Sequence, residues 1–138
     1  MNPKNVRAEF ARALKALQAA KLLQADRLFE DAVSRAYYAV MHAAKAALLV
    51  HDQIAESHAA IRRHFGSVLV RNGRIEKEWA GILAKEQDRR IAADYNANLL
   101  MDAESSLQLV ADADHFVERI RKYLLEERII EAEGQESS

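Results

Sequence analysis

The sequence predicts an all-α chain, an antiparallel up-and-down bundle of four to five helices. Three observations carry this. Chain breakers are scarce, with one proline and four glycines in 138 residues. Strong helix formers fill every long segment. Apolar residues recur at three- and four-residue spacing, and strand-like alternation appears nowhere.

The first helix is predicted from Lys4 to Gln24, with Pro3 at its start, where a missing N–H costs nothing. Val6, Phe10, Ala13, Leu14, Leu17 and Ala20 form its apolar stripe. Asp26 is placed to cap a second helix reaching His51. Phe29, Val33, Ala36, Val40, Ala44 and Ala47 make that helix's main stripe, while Ala39, Ala43, Ala46 and Leu49 line the other side. A helix apolar nearly all round is a central one, packed on two sides. Residues 52–56 read as a loop, and Ser57 caps a short third helix with Ile61, Phe65, Val68 and Leu69 inward. Asn72-Gly73 signals the turn that ends it. A fourth helix is expected from Ile75 to Asn96, with Trp79, Ile82 and Leu83 on one face. A fifth runs from Met101 to Glu131, with Leu109, Ala113, Phe116, Val117, Ile120 and Leu124 in register. Short connections between long helices favour antiparallel neighbours. Residues 1–131 thus read as one domain and 132–138 as a disordered tail.

Composition narrows the function classes. Half of the residues are apolar, yet no apolar run approaches the roughly 18 residues of a membrane span. The first ten residues lack a signal-peptide core, so a cytoplasmic location is expected. With no cysteine there are no disulfides or thiolate metal sites. A net charge of −1 argues against a globally basic nucleic-acid binder. No Glu-x-x-His pair, His-Glu-x-x-His motif or Gly-rich phosphate loop occurs, so neither metal nor cofactor is expected.

Three places break the plain division into core and surface. In the second helix, Arg35 and His42 lie only about 20° apart in azimuth and about 10 Å apart along the axis. Asp31 and Tyr38 flank them, so guanidinium, imidazole, phenol and carboxylate share one face. This is either a polar network with Arg35 paired to Asp31, or a phosphate-facing Arg beside a titratable His. The second combination is what cleaving RNA through its own 2′-OH requires. In the fourth helix, Glu86, Arg90 and Asp94 continue the line begun by Trp79 and Leu83, with Tyr95 next. Their spacing suits an ion-pair ladder on a solvated face, or a polar cleft. Between Ser57 and Ile75 stand Arg62, Arg63, Arg71 and Arg74 with no acid, joined by His58 and His64. That patch is a solvated face or a binder of nucleotide or RNA phosphates. Asp112 and His115 form a lone i, i+3 pair read as surface.

Taken together these residues resemble the HEPN family, in its small prokaryotic stand-alone branch. The carriers are Ser34-Arg35-Ala36-Tyr37-Tyr38-Ala39-Val40-Met41-His42-Ala43-Ala44 and, later, Arg90-Ile91-Ala92-Ala93-Asp94-Tyr95. The resemblance covers Lys4 to Leu125 and implies a helical bundle that dimerises. It implies a partner too, a minimal nucleotidyltransferase in a toxin–antitoxin or defence pair. Active relatives are metal-independent ribonucleases using an Arg-x(4–6)-His motif on a late helix. Here Arg35 and His42 meet the spacing on an early helix, and the late helix offers Arg90 with Tyr95 where the His would stand. A phenol titrates near pH 10 and is a poor base at neutrality.

Three functions follow. The first is a partner of a nucleotidyltransferase, or a nucleotide or RNA binder, acting through Arg90 and Tyr95. The second is a metal-independent ribonuclease toxin using Arg35 and His42, or Arg90 with a histidine from elsewhere. The third is a structural dimerisation module. The candidate catalytic residues are Arg35, His42 and Arg90; the candidate binding residues are Tyr38, Glu86, Asp94, Tyr95, Arg62 and Arg63. By the same resemblance Tyr95 is a candidate acceptor of AMP.

Overall fold

Pro3 opens the first helix as expected, with the Asn2 side chain accepting from the Lys4 N–H at 3.0 Å. In the computed structural model, which describes residues 1–95 and 101–131, five α-helices follow in order. They are α1 (Pro3–Ala25), α2 (Phe29–Leu49), α3 (His58–His64), α4 (Lys77–Tyr95) and α5 (Ala103–Glu126). A π-helical segment, Phe65–Val70, continues α3. There is no strand among the described residues.

Hydrogen bonds at both ends of the bundle give the helix directions. Arg7 near the start of α1 donates to the Ile129 carbonyl beyond α5, and Gln24 near its end donates to the Ala103 carbonyl, each at 3.2 Å. These two helices are therefore antiparallel. Lys85 meets Asp112 at 2.6 Å while Arg119 meets Glu76 at 2.7 Å, so α4 and α5 are antiparallel as well. Ser106 reaches the Phe29 carbonyl at 3.5 Å, and His51 bonds the Tyr123 hydroxyl at 2.5 Å, so α2 runs alongside α5. The path is up, down, up, down through α1, α2, α4 and α5, with α3 and the π segment crossing between α2 and α4.

The central role predicted for α2 holds. Ala32, Ala36, Ala39, Ala43, Ala44, Ala46 and Ala47 are all fully buried. Side chains this small let neighbouring helices approach closely on several sides. The whole predicted seam of α5, from Leu109 to Leu124, is buried too. Phe65 packs on Phe116 at 5.6 Å, and Trp79 meets the same ring edge-on at 6.3 Å. This cluster fastens the π segment and α4 to α5.

Several boundaries differ from expectation. Asp26 does not cap α2: it is the C-cap of α1, and the Leu28 N–H bonds the Leu23 carbonyl at 2.9 Å with Arg27 at φ 63°. That i→i−5 closure moves the start of α2 to Phe29, beyond reach of Asp26. Without a side-chain cap, α2 has Glu30 and Asp31 in its first turn to complement its dipole. The same closure at Arg128, φ 60°, ends α5 at Glu126 rather than Glu131 and turns Ile129 into the core. The third helix widens after His64, where the Arg71 N–H bonds the Gly66 carbonyl at 2.9 Å. The wider turns keep Phe65 and Leu69 on the inward face begun by Ile61. Asn72-Gly73 makes the expected turn, with Gly73 at φ 73°. Leu14 is 46% exposed and lies outside the stripe assigned to it. The expected helix end at Asn96 and the tail 132–138 lie outside the described residues.

Candidate functional site

Adjacent residues on a helix point about 100° apart, so Tyr37 and Tyr38 of α2 cannot share an environment. Tyr37 turns inward and is 1% exposed, while Tyr38 stays half-buried at the edge. Here α4 packs against α2 and delivers Arg90. Its Cζ lies 5.5 Å from the Tyr37 ring centre and 5.2 Å from that of Tyr38. Its Nη2 donates to the Tyr38 hydroxyl at 3.3 Å, and its Nε sits 3.1 Å from Asp94 Oδ2, one turn along α4. Two aromatic faces and one carboxylate thus hold the guanidinium plane while its outer edge meets solvent.

Arg35 approaches Tyr38 as well, its Cζ 5.9 Å from the ring centre. One phenol is therefore flanked by two guanidiniums from different helices. Among the described residues Arg35 forms no ion pair, and the Asp31 pairing does not occur. His42 stacks near the same ring at 6.4 Å, and Arg35, Tyr38 and His42 line one surface recess with Arg12 and Lys15 of α1. His42 Nδ1 is taken by Glu9 of α1 at 2.9 Å, and Lys45 meets the other oxygen of Glu9 at 3.3 Å. The His42 hydrogen bond, helped by Lys45 and opposed by burial, holds the Glu9 carboxyl below its usual range.

The third contributor is His58, the first residue of α3. Its Nδ1 is hydrogen-bonded to the Tyr37 hydroxyl, and the ring centres are 5.3 Å apart. Burial, then the Arg90 charge, hold this imidazole below its usual value, so it is neutral at pH 7. Burial pushes the Tyr37 phenol up to about 12 against the pull of Arg90 and Arg62, so it keeps its proton.

The structure thus brings Arg35, Tyr38, His42, Arg90 and Asp94 into one array. Arg62 borders it, donating to Gln87 at 2.7 Å and meeting Asp88 at 3.4 Å, with Arg63 beside it in a shallow recess against α4. Tyr95 is 86% exposed at the end of α4. Glu86 is a correction. It is fully buried, with no hydrogen-bond partner for either carboxylate oxygen among the described residues, so the expected Glu86–Arg90–Asp94 ladder keeps only its second rung. One turn of α4 separates them, yet Glu86 faces the packed interior and Arg90 the rim. Asp112 is likewise no partner of His115: it accepts from Lys85 and, at 2.9 Å, from Gln108.

Sequence reasoning missed Glu9, Lys45 and the pairing of Tyr37 with His58. No periodic signal joins residues on different helices, so only the packing of α1 and α3 on α2 could reveal them. Among the described residues no cluster of three or more His, Asp or Glu is arranged to hold a metal ion. No described helix is long and apolar enough to cross a membrane.

Comparison with known proteins agrees with this architecture. The HEPN domain profile matches residues 6–127. A Methanocaldococcus jannaschii protein named "Putative toxin MJ0605" is 39% identical over 110 residues, 80% of this chain and 81% of that protein. The "UPF0332 protein glr0978" of Gloeobacter violaceus is 33% identical, with 82% of this chain and 90% of that protein covered. A second M. jannaschii protein, "Putative toxin MJ0142", is 25% identical over 89% of this chain and 84% of its own length. With a family profile spanning nearly all of the bundle and both motif helices inside it, the chain belongs to the HEPN domain family.

Proposed function

We propose that this chain is a toxin-type HEPN protein that acts on RNA, with Arg90 as the ligand of the phosphate to be cleaved. The observation that carries the reading is the Arg90 guanidinium, held between Tyr37, Tyr38 and Asp94 at the rim, with Arg35 across the same phenol. A planar cation fixed on two sides and open on the third suits bidentate contact with a phosphodiester. The neighbouring Arg62 and Arg63 extend positive charge along the path a strand would take. Tyr38 offers a ring face for base stacking. The names of the two M. jannaschii relatives point the same way. No metal is needed if a side chain moves the 2′-OH proton.

The test is cleavage of single-stranded RNA by the purified chain in EDTA, beside Arg90→Ala and Arg90→Lys. Cleavage lost in both variants supports the reading; an intact substrate with the folded wild-type chain sinks it.

A second reading is favoured by Ile91 and Tyr95, 43% and 86% exposed one turn apart on α4. In it, this face receives a minimal nucleotidyltransferase or a second copy of the chain. Light scattering alone and with the candidate partner separates the two, since this reading requires the complex to dissociate in Tyr95→Ala.

A further inference from the structure

We propose that His58, outside both motif helices, is the residue that accepts the 2′-OH proton when RNA lies against Arg90. This rests on the RNA reading above. The two histidines near the array differ in their surroundings. His42 is engaged by the Glu9 carboxylate, which Lys45 also holds, and it lies on the α1 side of Tyr38. His58 lies on the α3 side, bonded through Nδ1 to the hydroxyl of Tyr37, the ring on whose face Arg90 sits. Tyr37 thus couples the phosphate-binding cation to an imidazole, as the third member of a base–orienter arrangement.

The chemistry follows from the partners. In this role His58 carries its proton on Nδ1 and donates it to the oxygen of Tyr37, so that the Nε2 lone pair is free. Tyr37 from α2 is uncharged, and burial and then the Arg90 cation from α4 disfavour an imidazolium, so the ring starts neutral and able to accept. With a phosphodiester on Arg90, the 2′-OH proton passes to Nε2 as the 2′-oxygen bonds to phosphorus. The P–O5′ bond breaks, and the 5′-oxygen takes a proton back from the imidazolium. The products are a 2′,3′-cyclic phosphate and a 5′-hydroxyl, with no oxidant, reductant or other co-reactant.

The experiment is single-turnover cleavage of a labelled mixed-sequence RNA in EDTA by the wild-type chain, His58→Ala and His58→Asn, with RNA affinity measured in parallel. Asn keeps a hydrogen-bonding atom near the Nδ1 position but cannot take the proton, so it separates loss of chemistry from loss of fold. Expected are a loss of about 100-fold or more in both variants, affinity within about twofold of wild type, and cyclic-phosphate ends on the wild-type product. Wild-type cleavage with His58→Asn within about threefold of it overturns the role of His58 and leaves the RNA reading standing. RNA bound but not cleaved by the wild-type chain overturns the role of His58 while leaving Arg90 as a phosphate ligand. RNA neither bound nor cleaved overturns both.

Discussion

Glu86 and Arg90 stand one turn apart on α4, yet one is buried and the other reaches the rim. Glu86 faces inward, fully buried, and among the described residues neither oxygen has a hydrogen-bond partner. Burial, with the Asp112 charge adding and Lys85 opposing, pushes its carboxyl up to about 9. Arg90 emerges at the rim with its side chain 23% exposed, an acid one turn on and two tyrosines beneath it. A buried carboxyl escapes the large penalty of a desolvated charge by keeping its proton, a route closed to guanidinium at any ordinary pH. The cation must therefore stay where water, a carboxylate or a phosphate can reach it. The difference teaches that polar residues along one helical seam need not form one site: the same stripe holds a buried carboxyl and a cation at the rim.

The largest expected effect breaks the comparison at Arg90. Arg90→Ala lowers RNA cleavage by about 100-fold or more, and Arg90→Lys recovers little, because an ammonium lacks the planar fork. Thermal unfolding of both variants checks that the loss is functional; a loss that tracks a collapsed melting temperature would remove Arg90 from the site.

Next comes Glu86→Gln. The folded chain holds a Glu86 proton up to about pH 9, whereas the unfolded chain releases it near the ordinary carboxyl value of 4.5. Between those values the folded state binds the extra proton, so this residue's contribution to stability falls as pH rises through the window. The variant has no such slope. Its stability relative to wild type should improve by about 1.4 kcal/mol per pH unit inside the window, or roughly 3 kcal/mol between pH 4.5 and 7. Urea unfolding at pH 6 and pH 8 measures this, and parallel curves for the two proteins would mean that Glu86 is ionised in the fold.

Glu9 gives the opposite sign and a smaller effect. Its carboxyl is depressed first by the His42 hydrogen bond, so its stabilisation is present above the unfolded value and lost as pH falls through the folded one. Glu9→Gln should destabilise by about 1–2 kcal/mol at pH 7, with the gap closing in acid. An undiminished gap at pH 3 would point to packing instead of charge. The smallest effect is at Arg128, which holds φ 60° at the end of α5. Arg128→Gly relieves left-handed strain and should stabilise by about 0.5 kcal/mol, read as a rise in denaturation midpoint.

What was legible in the sequence has a common physical origin. The five helices, the broad apolar burial of α2 and the seam of α5 follow from a 3.6-residue period, which needs no knowledge of neighbours. Half of the candidate site was legible for the same reason. Arg35, Tyr38 and His42 share a face of one helix, and Arg90 and Asp94 are four apart on another. Helix ends were less legible, because the left-handed turns at Arg27 and Arg128 lack the glycine that usually announces them.

The sequence by itself thus determined the fold class, the helical segments and which polar residues share a helical face. Only the tertiary structure decided that Glu86 turns inward, that Arg90 rests on Tyr37 and Tyr38, and that Glu9 and His58 meet α2 from α1 and α3. The reason is geometric. Local periodicity orients a side chain about its own axis, but which helix stands opposite depends on how all of them pack, and burial, charge state and partner follow from that.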